Sequence, residues 1–324
     1  MRYYRVDVSN AKSGAPVYLT GFNNTPLTSL TQTGTFNPSA LNVELDIYQT
    51  PYHVAAPGSY FRVWGPALED IASATNFNGL DIKIALGMSA GLPLANPAQA
   101  QRVITGTIYQ SFGNWIGKDM TLEWQLASPA GTAKAPKPFI LNWAAGTPLS
   151  QALAATFKSA LPDAKQLIQI SPKLTYNHFE TGFYSTLAQF AEVIFGMSRD
   201  IISDPTYPGV AISYDGVQIS AIDGTVKPTA KVIAFQDLIG QPTWLASNLI
   251  SIKFVMRGDL DIGNIIQLPQ TLITNNAAAL TRFRDKSTFT GNYTINNLRH
   301  VGNFRQADAS SWCTIAEAYP TPAT

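Results

Sequence analysis

Three histidines, one cysteine and a few close pairs of carboxylates are the residues of this 324-residue chain whose types could do chemistry. His53, His178 and His300 stand in QTPYHVAAPG, TYNHFETG and NLRHVGN. None is within metal-ligand spacing of another histidine or of Cys313. Each reads as a surface or turn residue rather than a ligand or general base. Glu44/Asp46 and Asp259/Asp261 are i,i+2 pairs that would share one strand face. Paired carboxylates are what glycoside hydrolysis needs, and a solvated strand edge or a tight turn places acids in the same way. Arg257-Gly258-Asp259 lies in RGDLDIGN, read as a turn, where chance supplies such a triplet. Cys313, beside Trp312, reads as small buried filler in the last strand. GxxxxGK[ST] and GxGxxG are both absent, so a phosphate-cradling loop has no support. The expectation is a protein that is not an enzyme and takes no cofactor and no metal. The densest basic cluster is TRFRDKS, where Arg282, Phe283, Arg284 and Lys286 form a candidate contact for phosphate or an acidic partner.

The elements that would carry these residues change in texture along the chain. Alternating runs at Tyr3–Val8, Leu41–Tyr48, Tyr60–Trp64, Leu80–Leu86, Val103–Gln110 and Met120–Ala127 predict strands with one buried face. The segment SFGNWIGKD reads as the turn between the last two. Residues 129–138, PAGTAKAPKP, read as a linker. Thr147-Pro148 then opens a helix, with Thr as N-cap and Pro at the first helical position. A second helix covers about Tyr184–Ile202, with Leu187, Phe190, Ala191, Ile194 and Phe195 on one stripe. Asp215-Gly216 between two alternating runs predicts a hairpin over Val210–Ile222. Strands return at Lys231–Phe235, Ile250–Met256, Ile262–Leu268, Phe289–Leu298 and Trp312–Glu317. Residues 269–288 form an insertion with a short helix at Asn276–Phe283.

The predicted fold is mainly β with an α/β domain. A β-module over 1–128 and another over 229–324 flank a small α/β domain over 139–228. The two β-modules resemble each other. Ile82-Lys83-Ile84 matches Ile252-Lys253-Phe254, Asp70 matches Asp237, and Thr105-Gly106 matches Thr290-Gly291. A Gly-Asn-aromatic turn follows in both, at Gly113 and Gly302, and each copy closes on a strand with a tryptophan. Two tandem modules per chain let a trimer present six similar positions around an axis while keeping three-fold symmetry elsewhere.

Composition narrows the partners. Only 13% of residues are charged, 22 basic and 21 acidic, against about 25% in a typical soluble domain. The net charge of +1 gives no basic field for nucleic acid. A polyelectrolyte and a coiled coil are excluded. A neutral polar surface suits either burial against partners, since interface cores are poor in charge, or a secreted β-protein. One cysteine excludes an intrachain disulfide framework. The N-terminus does not read as a signal peptide, and no window approaches 18 apolar residues, so no membrane span is expected.

Three passages carry a family resemblance. They are GTPLSQALAATFKSALP through QLIQISPKL to ETGFYSTLAQFAEVI, then NLISIKFVMRGDLDIGNIIQLP, and FTGNYTINNLRHVGNFRQADASSWCTIAEAY. In order and texture they resemble the baseplate hub proteins of contractile-tailed bacteriophages. The resemblance implies a homotrimer with two tail-tube-like β-barrel modules per chain. Its pseudo-hexameric ring would join the tail tube protein to the central spike protein, touch other baseplate proteins, and surround DNA as transient cargo. The location implied is the virion tail baseplate, after synthesis in the host cytoplasm. The competing expectations are a carbohydrate-binding or adhesin-like β-protein, favoured by 11% aromatics, and a glycosidase on the paired carboxylates.

Overall fold

The computed structural model describes residues 2–22, 24–31, 33–55, 57–88, 97–127, 138–226, 229–269, 289 and 291–321. Period-two burial makes most of its strands. The first set is β1 (Arg2–Ser9), β2 (Pro16–Val17), β3 (Leu27–Thr28), β4 (Asn42–Gln49), β5 (Ser59–Trp64), β6 (Asp81–Met88), β7 (Gln101–Ile116) and β8 (Asp119–Ala127). A short helix, α1 (Leu68–Ala72), lies between β5 and β6. Tyr4, Val43, Leu45, Ile47, Phe61, Ile82, Ile84 and Trp124 fill one apolar cluster between these strands.

The middle of the chain holds β9 (Phe139–Trp143), α2 (Leu149–Ala160), β10 (Lys165–Gln169), β11 (Glu180–Tyr184), α3 (Leu187–Ile202), β12 (Ala211–Tyr214) and β13 (Gln218–Ile222). Its cluster is separate and includes Trp143, Phe157, Phe190 and Ile212. β10 runs parallel to β13, and β12 and β13 form the expected hairpin, with Gly216 at φ +91°. Thr186 caps α3 by accepting from Gln189 N at 3.2 Å. Thr147 does not cap α2, because Pro148 takes the cap position and the Thr147 hydroxyl donates to Ala144 O instead.

The second β set is β14 (Lys231–Val232), β15 (Thr243–Ala246), β16 (Leu249–Val255), β17 (Ile265–Leu268), β18 (Gly291–Asn303) and β19 (Trp312–Pro320). It has a third cluster, around Ile250, Ile252, Phe254, Ile266, Ile295 and Leu298. The chain is thus mainly β with an α/β portion.

The two β sets repeat one pairing scheme. In the first, neighbours run β4-β5-β8-β7-β6-β1; in the second, β15-β16-β19-β18-β17-β14. The first five strands are antiparallel in both. The sixth differs, since β1 is antiparallel to β6 whereas the two-residue β14 is parallel to β17. Detail repeats too. Gly79 N donates to Ile108 O (2.8 Å) and Ile108 N to Leu80 O (2.9 Å); Gly263 N donates to Ile295 O (2.7 Å) and Ile295 N to Asn264 O (3.0 Å). Both glycines have positive φ, +79° and +82°. A bulge follows each isoleucine, at Tyr109 and at Asn296. Gly65 N reaches Met120 O as Met256 N reaches Trp312 O.

This pattern moves part of the sequence alignment by one strand. β16 corresponds to β5, not to β6, so Ile252 is the counterpart of Phe61 and Ile82 that of Ile266. Ile-Lys-Ile and Ile-Lys-Phe look alike because both alternate with Lys outward, and alternation does not say which neighbour a strand takes. Asp70 and Asp237 are both buried but lie on different connections, after β5 and before β15. Two predicted turns are also corrected. Gly113-Asn114 and Gly302-Asn303 lie inside or at the end of long strands. These glycines serve close packing. A Cβ at Gly113 would strike Ile71 O of α1, and one at Gly302 would lie 2.7 Å from Trp312 and 2.9 Å from Leu45. The actual β7–β8 turn is at Gly117, φ +61°.

Candidate assembly interface

The two β sets meet edge to edge in one continuous sheet. β18 pairs with β17 up to Ile265↔Thr294, then passes to β4, from Leu298↔Gln49 to Asn303↔Glu44. Arg299 spans this junction. Its Nε and Nη2 donate to the two carboxylate oxygens of Asp46 at 2.8 and 2.6 Å, and its guanidinium lies 5.0 Å from the Tyr48 ring centroid. Behind the junction, Trp312 Nε1 donates to Gly87 O at 2.9 Å, and Gly258 N to Gln99 O at 2.8 Å. Arg2 donates to the carbonyls of Asn303 (2.6 Å) and Asp308 (2.9 Å). Arg257, buried, bridges Asp237 (3.4 Å) and Asp259 (2.8 Å).

Each partner in that junction has a counterpart beside which no further strand pairs among the described residues. β15 corresponds to β4 and is the last strand at its end of the sheet. The outer half of β7 corresponds to the part of β18 that meets β4. β6 leaves β7 after Thr107. Asn78 Oδ1 accepts from Ser111 N (2.7 Å), which shows that Ser111 turns its backbone away from β8. Alternation turns Gly113 and Trp115 to the same outer edge, and among the described residues no strand pairs there. Large apolar side chains are concentrated on this arm: Tyr109 is 71% exposed, Phe112 40%, Trp115 62% and Ile116 76%. On β15, Leu245 is 53% exposed. Sequence reading missed the arm because Gly113-Asn114 has turn chemistry; the alternation of Phe112, Asn114 and Ile116 with Ser111, Gly113 and Trp115 is the signal that could have found it.

The residues singled out for chemistry are dispersed. His300 is not a turn residue: it lies inside β18, fully buried, with Nδ1 2.9 Å from Thr314 Oγ1. Burial pushes its pKa down to about 4. His53 stacks on Phe195 at 4.1 Å, and burial lowers its pKa too. His178 Nε2 is 3.5 Å from Glu180. Glu44 and Asp46 share a strand face, and each holds an arginine: Arg62 lies 3.2 Å from Glu44, and Arg299 lies 2.6 Å from Asp46. Asp259 pairs with Arg257, whereas Asp261 has its pKa raised by burial. Arg257 of the Arg-Gly-Asp triplet is buried and Gly258 packs on the Gln101 and Leu86 carbonyls, so this is no protruding loop. Cys313 is buried, and burial pushes its thiol pKa up. No group of three or more His, Cys, Asp or Glu among the described residues is placed to hold a metal ion. No described helix is long and apolar enough to cross a membrane. Arg282, Phe283, Arg284 and Lys286, with most of the 269–288 insertion and its predicted helix, lie outside the described residues. The described residues thus build one continuous sheet whose β7 arm carries exposed apolar side chains.

Comparison with known proteins yields fold likeness only. No family model matches the chain, and no curated protein matches it. Among solved structures, the chain is similar to the 43 kDa tail protein of prophage MuSo2 from Shewanella oneidensis, with TM-score 0.49, 8% identity and 99% of each chain covered. It is similar to the tail protein from Neisseria meningitidis MC58, with TM-score 0.47, 10% identity, 98% of this chain and 96% of that one. It is also similar to prophage tail protein gp18 from Listeria monocytogenes EGD-e, with TM-score 0.40, 6% identity, and 98% and 95% covered.

Proposed function

We propose that the chain is a structural subunit of a phage-type tail, the hub at the baseplate. Three copies would form a ring of six similar β positions, matching a six-fold tube on one side and a three-fold spike on the other. The observation that carries this reading is the repeated scheme, β4-β5-β8-β7-β6-β1 and β15-β16-β19-β18-β17-β14, within one chain. A single-site enzyme has no need of two such units, whereas a symmetry adaptor does. The division into 1–128, 139–228 and 229–324 belongs to the same proposal and is supported by three separate apolar clusters. So do a place in the virion baseplate, contact with tube, spike and other baseplate proteins, and passage of DNA through the ring. The outer faces of β4, β5 and β18 support a wall that does not hold DNA. No positive charge is left over, since Arg62 lies between Glu44 and Glu123 of β8 and Arg299 pairs with Asp46, three acids against two bases. On the outer faces of β4 and β5 the carbohydrate-binding alternative draws no support, since Tyr60 lies under Arg62 at 5.5 Å and Tyr48 under Arg299 at 5.0 Å.

The test is the mass of the purified chain in solution, followed by an electron-microscopic image. A three-chain ring with a central hole wide enough for duplex DNA is expected. A chain that stays single at high concentration overturns the reading.

A further inference from the structure

We propose that the cavity where the three portions of the chain meet is a binding site for a small organic cation. The ligand it fits is a primary ammonium group on a short aliphatic stem, with the Asp261 carboxylate as its anchor. The proposal stands apart from the hub reading and needs no second copy of the chain.

The cavity has a volume of about 400 Å³, within the ~300–1,000 Å³ of small-molecule sites. The first β set supplies Tyr52, from the β4–β5 connection, and Arg102 and Ile104 of β7. The middle portion supplies Leu167 of β10 and Tyr214 and Asp215 of the hairpin, and the second β set supplies Asp261. Two contacts fix the walls. Tyr52 N donates to Ile212 O at 2.8 Å, and Arg102 Nη2 donates to Asp215 Oδ2 at 2.6 Å. Both tie the first set to the middle portion, so the cavity is enclosed by elements that hold one another in place.

Charge on those walls is unbalanced by one. Asp215 is satisfied: Arg102 meets its Oδ2, and its Oδ1 accepts from Val217 N at 2.8 Å and Gln218 N at 2.7 Å. Asp261 is not. Its backbone N donates to Asn264 Oδ1 at 3.2 Å, but among the described residues its carboxylate accepts no hydrogen bond and joins no ion pair. Lys231, whose charge reaches it, is held by the carbonyl and carboxylate of Asp259. Burial raises the Asp261 pKa; Lys231 and Arg102 pull it down, while Asp215 and Asp259 add repulsion. Asp261 is thus open to space and yet desolvated, as befits a carboxylate on a cavity wall rather than on an outer face. Keeping such a carboxylate without a cation is costly, and one monocation in the cavity removes that cost. Ca²⁺ takes about 6–8 oxygen ligands, more than one spare carboxylate provides. An aliphatic stem suits Ile104 and Leu167, and Tyr52 and Tyr214 add aromatic walls, which attract an ammonium group.

The experiment is calorimetric titration of n-pentylamine into the full chain near neutral pH. Saturable binding at one site per chain is expected, at least tenfold tighter than that of n-pentanol, which has the same stem and no charge. Asp261→Asn should weaken amine binding at least tenfold without lowering the melting temperature, since it removes an uncompensated charge and keeps the shape. Ala188→Trp, at an accessible position of α3 that lines the cavity, should block the site with Asp261 intact. A short peptide with one central lysine separates the sources of the amine. Binding by the peptide assigns the cavity to a partner's lysine, whereas binding by the free amine alone assigns it to a diffusible one. No saturable binding of n-pentylamine, equal binding of n-pentanol, or binding unaffected by Asp261→Asn or by Ala188→Trp overturns the site. Each of those results leaves the hub reading standing, because that reading is tested by the number of chains in the particle.

Discussion

The first strand set has its β4 edge paired with β18, whereas among the described residues no strand pairs beyond the corresponding β15 of the second set. The two sets otherwise share their order of neighbours, their bulge and their positive-φ glycine. What differs is how each is held in place. Inside the chain, the junction is backed by Trp312, Met256 and Phe304, which belong in sequence to the second set but pack into the first cluster. It is also pinned by buried charge. Arg257, which lies between the sets, has its side chain 5% exposed and holds Asp237 and Asp259 at 8% and 12%. The buried carboxylate of the first set, Asp70, meets no cation among the described residues. It accepts instead from the backbone N and hydroxyl of Thr20 at 3.0 and 2.9 Å. The second set therefore depends on an ion network where the first uses neutral donors.

Arg257→Ala breaks that contrast most strongly. Removing one member of a buried ion network strands the others, at about 3–5 kcal/mol. Asp70→Asn leaves hydrogen-bonding capacity in place and is expected to cost about 1–2 kcal/mol. Urea denaturation of both variants checks the order. An Arg257→Ala chain no less stable than Asp70→Asn would show that the network contributes little.

Most strands were legible in the sequence because one-sided burial writes alternation, as in Val43, Leu45 and Ile47 or Ile250, Ile252 and Phe254. The hairpin at Asp215-Gly216 and the stripe on α3 were legible for the same reason: each rests on local chemistry. Neighbour choice was not. That β18 leaves β17 for β4, more than two hundred residues away in sequence, is decided by fit between edges, which no local pattern encodes. The candidate interface was hidden for a related reason. Gly113 and Gly302 have the look of turn residues, yet they sit where a helix carbonyl or a Trp ring comes too close for a Cβ. The chemistry-bearing residues were readable as types but not as places, and His300 moved from a turn to a core.

His300 sharpens the comparison further, since it occupies in β18 the position of Gly113 in β7. The glycine has no titratable group, while the histidine is buried in its neutral form with its pKa held near 4. In the unfolded chain it returns to about 6.5. As pH falls through that interval the unfolded state binds more protons, so stability falls with it. The loss begins below about pH 6.5, is complete near pH 4, and amounts to about 3 kcal/mol. Stability is retained above pH 6.5. Comparing urea midpoints at pH 7 and pH 4.5 should show a smaller fall for His300→Gln than for the wild type, although the variant is less stable at pH 7. Parallel pH curves for the two would mean that His300 is not the acid-sensitive group.

The smallest effect is the most informative about the junctions. Arg299→Ala removes a two-point contact with Asp46, but the arginine side chain is 42% exposed and the pair is screened by solvent. The cost is about 0.5–1 kcal/mol. The internal junction should survive it, because β4 and β18 stay paired through their backbones, remain on one chain, and are backed by a filled core. Phe112 is the counterpart of Arg299, on the outer half of β7, where among the described residues only β8 pairs. A thermal melt of Arg299→Ala should therefore shift by only a few degrees, and one of Phe112→Asp, at a position 40% exposed, by no more. An Arg299→Ala melt lowered as far as that of Arg257→Ala would mean that the side-chain pair, and not backbone pairing, holds β18 against β4.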